Sequence, residues 1–81
     1  MILVDIQVPV LDEVYDFELD EEVKIKEALG EITALIAAKE RISIKDGDNL
    51  QLYALREDML LDREASLRQQ AVRDGDRLVL I

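Results

Sequence analysis

Two runs of alternating residues at the start of the chain constrain its fold most strongly. Residues 2–8 and 14–19 both alternate with a period of two, which is typical of strands with one buried face. The hydrophobic side is formed by Ile2, Val4, Ile6 and Val8 in the first run and by Tyr15, Phe17 and Leu19 in the second. Pro9 has no N–H for ladder pairing, and residues 11–13 supply a turn. We therefore expect an antiparallel β-hairpin.

After Glu22 the period changes to that of an amphipathic helix. Its apolar stripe consists of Ile25, Leu29, Ile32 and Ile36, widened by Ala28 and Leu35. We expect the helix to end near residues 39–41 and Gly30 to allow a close approach of the helix to a sheet. Beyond the helix, residues 50–55 alternate, residues 59–61 allow one short strand, and residues 77–81 form a final strand.

The order of elements is strand, strand, helix, strand, short strand, strand. One helix on one face of a mixed sheet buries these apolar faces most economically, with the first and last strands as parallel central neighbours. The expected fold class is α+β, a β-grasp with four to five strands, over a single domain, residues 1–81. The helix stripe should face Ile2, Val4, Ile6, Tyr15, Phe17, Leu52, Leu78 and Leu80.

Composition excludes several classes of chemistry. The 81 residues include no cysteine and no histidine, so disulfides, cysteine nucleophiles, Cys/His zinc sites and histidine bases are excluded. Exposed carboxylate pairs are usually solvated faces, and a small sheet-plus-helix domain offers little concavity for acid–base catalysis. We expect a protein that is not an enzyme and that has no catalytic residue, metal or cofactor.

The net charge of −9 is concentrated near the start, where residues 1–22 hold eight acidic residues and no lysine or arginine. This field repels phosphates, which argues against nucleic acid and anionic membranes, and favours a basic protein surface as partner. Simple solubility is the alternative. The steering surface would be Asp12, Glu13, Asp16 and Glu18. No run approaches the ~18 apolar residues of a membrane span, so we expect a cytoplasmic protein without direct membrane insertion.

Two Asp-Gly-Asp segments, residues 46–48 and 74–76, invite a calcium interpretation. A calcium loop needs six to eight oxygen ligands, and the EF-hand spacing with its distal glutamate is missing. Asp-Gly is also ordinary turn chemistry, so we interpret both segments as turns.

The chain resembles ubiquitin-like proteins over almost its whole length, in the spacing of the hairpin, the helix stripe and the last strands, and most clearly in residues 61–81. The resemblance lies in Ser66-Leu67, Val72, the Asp74-Gly75-Asp76 turn and the alternating final strand. The string Val-Arg-Asp-Gly-Asp-Arg-Leu, residues 72–78, is similar to the YukD/EsaB-like proteins of bacterial type VII (WXG100) secretion systems and to the N-terminal domain of the EccD membrane component. Conjugated ubiquitin-like proteins end in Gly-Gly, whereas this sequence ends Leu-Val-Leu-Ile. YukD-like proteins also lack the Gly-Gly tail, so the resemblance to them implies a domain that is not conjugated.

The resemblance implies a non-catalytic protein-binding module, an accessory or regulatory component of type VII secretion whose partners are secretion-system components. The alternative is a structural cytosolic domain of a membrane assembly, as in EccD. An acyl carrier protein is a further alternative of similar size and charge. Its Asp-Ser-Leu motif would correspond to Ala65-Ser66-Leu67, which lacks the aspartate.

The face of the sheet away from the helix is the candidate partner-binding surface. Side-chain parity places Leu3, Tyr53, Leu55 and Val79 there as one apolar patch, with Arg77 beside it. Contiguous exposed apolar surface tends to mark interaction sites, and tyrosine and arginine are enriched at their centres. Ubiquitin-like domains commonly bind through this face. Scattered exposed hydrophobic residues are the alternative interpretation.

Overall fold

The computed structural model describes residues 1–44 and 49–81. Its strands and helix are β1 (Ile2–Val8), β2 (Glu13–Leu19), α1 (Ile25–Glu40), β3 (Leu52–Ala54), β4 (Met59–Leu60) and β5 (Arg77–Leu80). Short 3₁₀ turns occupy Pro9–Leu11 and Arg68–Gln70. The expected third strand, residues 50–55, is confirmed in its centre and is shorter at both ends.

The five strands form one mixed sheet in the order β2-β1-β5-β3-β4. β1 and β5 are parallel neighbours in the middle, and the other pairs are antiparallel. The hairpin of β1 and β2 is regular, from Ile2 opposite Leu19 to Val8 opposite Glu13. The expected β-grasp arrangement is therefore confirmed.

One hydrophobic core lies between the sheet and α1. The four residues of the helix stripe are at most 2% exposed, and the expected strand residues face them. Ile2 is only half-buried, but it packs against the same core. Leu67 and Val72 close the core from the segment between β4 and β5. Burial of this apolar surface is the main force that holds the helix on the sheet.

Two expectations about α1 are wrong. Leu35 is 51% exposed, because it lies on the flank of the helix rather than within the stripe that faces the sheet. Gly30 is exposed, and a Cβ atom built on it would meet no other atom within 4 Å, so it does not serve a close approach to the sheet. The helix does end where expected, with Arg41 in the left-handed conformation.

The loop before the last strand fastens the start of α1. The Ile25 and Lys26 N–H groups donate to the carbonyls of Ala65 and Arg63 at 2.9 and 3.1 Å. These bonds satisfy donors that have no partner within the helix, so no side-chain cap is needed at Lys24. Among residues 1–44 and 49–81, no helix is long and apolar enough to cross a bilayer.

Candidate functional site

The outer face of the sheet, defined as the face opposite α1, carries one row of residues that crosses all five strands. Each member lies directly opposite the next in the strand register: Val14, Gln7, Val79, Tyr53 and Leu60. Side chains at such positions are close enough to contact each other. The row places Tyr53 between Val79 and Leu60, at the centre of an apolar surface.

Leu55 extends this surface, which we call the outer apolar cluster: Tyr53, Leu55, Leu60 and Val79. The Leu55 N–H donates to the Arg77 carbonyl at 3.3 Å, so Leu55 is held beside β5. Leu55 and Leu60 are 46% and 51% exposed, whereas Tyr53 and Val79 are half-buried. The Tyr53 hydroxyl donates to Asp58 Oδ1, which fixes the ring against the β3–β4 turn.

The structure does not join Leu3 to this cluster. Arg77 lies opposite Asp5 on the outer face, and its Nη2 donates to Asp5 Oδ2 at 3.4 Å. This ion pair separates Leu3, which lies further along β1 opposite Glu18, from Val79. Four of the five residues expected in the patch are therefore brought together, and Leu3 is a separate exposed side chain.

Leu60 is the residue that sequence reasoning missed. The alternation Met59-Leu60-Leu61 shows that neighbouring residues face opposite sides of the sheet, but the side of Leu60 depends on its register with β3. Leu60 lies opposite Tyr53, so it faces outward, while Leu61 is buried in the core.

The four acidic residues expected to form one steering surface are divided. Asp16 and Glu18 lie on the outer face of β2. Glu13 lies opposite the buried Val8, on the helix side, and Asp12 occupies the turn with φ of 51°. The outer face therefore carries Asp16 and Glu18, while the other two charges lie at the end of the hairpin.

Asp16 and Asp5 are direct cross-strand neighbours and influence each other's titration. A hydrogen bond between the two carboxyl groups lowers the pKa of Asp5, with Arg77 adding to the effect. The same hydrogen bond, together with the charge of Asp5, raises the pKa of Asp16. The Arg77 charge thus offsets Asp5, and Asp16 is the carboxyl group that protonates more readily.

The Asp74-Gly75-Asp76 segment is built as a turn. Asp74 Oδ1 accepts the Leu3 N–H at 2.7 Å, and Asp76 Oδ2 accepts the Arg73 N–H at 2.9 Å. Gly75 has φ of 89°, which glycine adopts without strain. Both carboxylates therefore accept hydrogen bonds from main-chain N–H groups of the fold, as expected for a turn. The other Asp-Gly-Asp segment, residues 46–48, lies outside the described residues.

Ser66, the residue that an acyl carrier protein would modify, is buried and structural. Its Oγ accepts the Gln69 N–H at 3.1 Å, and the residue is 7% exposed. The five-stranded sheet also contradicts the acyl carrier alternative, because carrier proteins are all-helical.

Two grooves formed by residues of the described ranges open beside the core. One, of about 340 Å³, has an apolar lining of residues in the β1–β2 turn, at the end of α1 and at the end of β5, among them Val10, Ile42 and Ile81. The other, of about 530 Å³, lies between β2 and α1 and is lined by Val14, Tyr15, Asp16, Phe17, Leu35, Ile36 and Lys39.

Solved structures place this fold among the ubiquitin-like β-grasp domains. The EccD5 ubiquitin-like domain from Mycobacterium xenopi matches with a TM-score of 0.77 and 21% identity over 99% of this chain and 91% of its own. The ubiquitin of Caldiarchaeum subterraneum matches at 0.71 and 18% over 99% and 90%. A ubiquitin-like domain from Arabidopsis thaliana matches at 0.76 and 16% over 99% and 74%.

The family model described as "WXG100 protein secretion system (Wss), protein YukD" matches residues 3–80. The chain therefore belongs to the YukD family, a family of ubiquitin-like domains associated with the WXG100 secretion system. No curated protein matches the sequence.

Proposed function

We propose that the protein is a non-catalytic binding module that acts in the cytoplasm as an accessory or regulatory component of the WXG100 secretion system. Membership of the YukD family supports the link to secretion. The chain contains no histidine or cysteine to supply a nucleophile–base pair, which supports a binding role rather than an enzymatic one.

The outer apolar cluster is the observation that carries this proposal. Tyr53 supplies a ring held by Asp58, and Leu55 and Leu60 flank it with exposed aliphatic surface. An aromatic residue fixed in one orientation loses little side-chain entropy on binding, which makes it a suitable anchor for a protein partner. Arg77 and Asp5 provide a charged border beside the cluster.

The proposal includes no conjugation through Ile81. The Ile81 N–H donates to the Gln51 carbonyl at 2.9 Å, and the Gln51 N–H donates to the Ile81 oxygen at 2.7 Å. These bonds pair Ile81 with the residue that precedes β3, so Ile81 is held at the sheet. The sequence also contains no Gly-Gly pair. Detection of an adenylate at Ile81 would contradict this part of the proposal.

A structural role within a membrane assembly is the second candidate function. It is favoured by the similarity to the EccD5 ubiquitin-like domain, which extends over 99% of this chain. A structural domain would be recovered with the membrane components in a fixed ratio. A regulatory module would bind them reversibly and in variable amounts.

The experiment is capture of secretion-system components by the tagged protein in cells that express the system. The double variant Tyr53→Ala with Val79→Ser should weaken capture about thirtyfold, because truncation of a central anchor costs about 2 kcal/mol or more. The ratio of bound components to bait, measured by quantitative mass spectrometry, distinguishes the two candidate functions.

Two variants control for folding and position. Tyr53→Phe retains the ring and loses only the hydrogen bond to Asp58, so it should preserve most of the capture. Val10→Ser changes an apolar residue that is 90% exposed but lies away from the outer face, so capture should be unchanged. Full capture by the Tyr53/Val79 double variant would show that the outer apolar cluster is not the binding surface.

A further inference from the structure

We propose that the open edge of β2 is a second docking site, which adds to the sheet an extended segment with alternating basic and apolar residues. This site is separate from the outer apolar cluster: β2 lies at one end of the sheet, and β3 and β4 lie at the other. The proposal therefore does not depend on the proposed function, and each can fail alone.

The direction of the main-chain groups in the hairpin determines which N–H and C=O groups of β2 are available to a further strand. The Asp5 N–H donates to the Asp76 carbonyl at 3.0 Å, and the Leu3 carbonyl accepts the Gly75 N–H at 2.7 Å. The main-chain N–H and C=O groups of Leu3 and Asp5 therefore point toward β5. Main-chain groups alternate in direction along a strand. The main-chain groups of Val4 and Ile6 therefore point toward β2, and those of the residues opposite them, Phe17 and Tyr15, point back toward β1.

The main-chain groups of the alternate residues of β2 point toward the open edge. Val14, Asp16 and Glu18 direct their N–H and C=O groups away from β1, and within residues 1–44 and 49–81 no strand pairs with β2 on that side. The seven pairs of the hairpin run without a bulge, so the edge is regular. An unprotected regular edge is the template on which an extended peptide adds as a further strand.

The groove between β2 and α1 defines one face of the added segment. Residues of an added strand that lie opposite Tyr15 and Phe17 would point to the helix side. There they would enter the groove of about 530 Å³, whose wall includes the exposed Leu35 and the stem of Lys39. The Lys39 ammonium lies 5.1 Å from the centre of the Tyr15 ring and limits the groove at that end. The lining is mixed, with Asp16 and Lys39 as its charged residues. Val14, Phe17 and Leu35 give it apolar surface that a branched aliphatic side chain would contact.

The charges of β2 define the other face. Residues opposite Asp16 and Glu18 would point to the outer side, where opposite charges stabilise a cross-strand pair and like charges destabilise it. A second copy of this strand would place acidic residues against acidic residues, so the edge disfavours self-association. A lysine or arginine at alternate positions is favoured, which commits the occupant to a basic–apolar alternation.

Binding of a capped Lys-Val-Lys-Val-Lys-Val peptide to the full chain tests the proposal by two-dimensional NMR. Amide shifts should change along β2, and the amides of Val14, Asp16 and Glu18 should become protected from hydrogen exchange. A capped Lys-Lys-Lys-Val-Val-Val peptide has the same composition without the alternation and should bind at least about tenfold more weakly. Equal binding of the two peptides would show that charge alone attracts them and would overturn the proposal.

N-methylated peptides test the hydrogen bonds without altering the protein. In an added strand, alternate N–H groups face β2 and the others face solvent. Methylation of one alternating set should therefore abolish binding, and methylation of the other set should leave it nearly unchanged. For antiparallel addition the sensitive set is the lysine amides. Equal affinity of the two methylated peptides would contradict strand addition.

A matched pair of charge reversals places the site. Glu18→Lys changes the outer face of β2, and Glu27→Lys makes the same change of charge on an exposed position of α1. We expect about a fivefold loss of affinity for the alternating peptide with Glu18→Lys and less than about twofold with Glu27→Lys. Equal losses would indicate long-range attraction by the net charge and would overturn the assignment of the peptide to β2.

Discussion

Arg56 and Asp76 are joined by two parallel hydrogen bonds, from Arg56 Nε to Asp76 Oδ1 at 3.0 Å and from Nη2 to Oδ2 at 2.9 Å. Arg56 follows β3, and Asp76 precedes β5. The Asp76 carbonyl also accepts the Asp5 N–H at 3.0 Å. One residue therefore connects the β3–β4 turn, the start of β5 and the centre of β1.

The first prediction concerns the acid sensitivity of this connection. The hydrogen bonds from Arg56 hold the pKa of Asp76 below its usual range, so ionised Asp76 stabilises the fold above the unfolded pKa of about 3.9. That stability is lost as pH falls through the lower pKa of the folded state. Asp76→Asn should lower the melting temperature by about 5 °C at neutral pH and by much less near pH 2. Calorimetry across this pH range measures the difference.

Glu64→Gln is the matched control for that prediction. Glu64 also accepts a hydrogen bond from a basic residue, Lys26, at 3.1 Å, which lowers its pKa. Its side chain is 63% exposed, so solvent screens the pair. We expect little change in melting temperature. An equal loss in both variants would indicate a general charge effect rather than the specific connection.

Asp16→Asn should raise the melting temperature at neutral pH, whereas Asp76→Asn should lower it. The hydrogen bond and charge of Asp5 raise the pKa of Asp16, so the protonated form of Asp16 stabilises the fold and this stability is lost as pH rises through the folded pKa. At neutral pH the variant removes repulsion between neighbouring carboxylates, and its melting temperature should exceed that of the parent. The gain should disappear below the usual carboxyl range. A lower melting temperature at neutral pH would contradict the pairing of Asp5 with Asp16.

The core prediction compares two residues one turn apart on α1. Ile32 is fully buried, so Ile32→Ala should reduce the free energy of unfolding by about 2–5 kcal/mol. Leu35 is 51% exposed, so Leu35→Ala should cost less than about 1 kcal/mol. Urea denaturation measures both. Similar losses would mean that the helix is rotated relative to the sheet.

Gly30→Ala should stabilise the protein. Gly30 lies in the interior of α1, and a Cβ atom there would meet nothing within 4 Å. Alanine is favoured over glycine in a helix by about 1 kcal/mol, and no contact opposes the gain. Urea denaturation should show a higher midpoint with an unchanged slope. A lower midpoint would show that an unrecognised contact needs the glycine.

The last prediction separates steering from anchoring. Asp16→Lys with Glu18→Lys should slow association with a captured secretion-system component, because both charges lie on the outer face. The effect should shrink as salt is added, since the screening length is about 8 Å at physiological ionic strength. Stopped-flow measurements at several salt concentrations give both rates. A change confined to dissociation would indicate direct contact rather than steering.

The periodicities of the sequence determined the elements and their inner faces. The alternation in residues 2–8 and 14–19 and the spacing of Ile25, Leu29 and Ile32 predicted the hairpin, the helix and nearly all of the core. These features are local, because the period of a strand or helix decides which side chains share a face. The short motif at residues 72–78 was enough to indicate the YukD family, which the family model confirms.

Only the tertiary structure decided how the outer surface is assembled. Leu60 lies beside Tyr53, and the Asp5–Arg77 ion pair separates Leu3 from the outer apolar cluster. Both results depend on the register between strands that are distant in sequence. The exposure of Leu35 depends on how the helix is rotated against the sheet. The free edge of β2 likewise depends on the strand order. A periodic sequence specifies faces, but contacts between faces depend on registers and rotations that the whole core fixes at once.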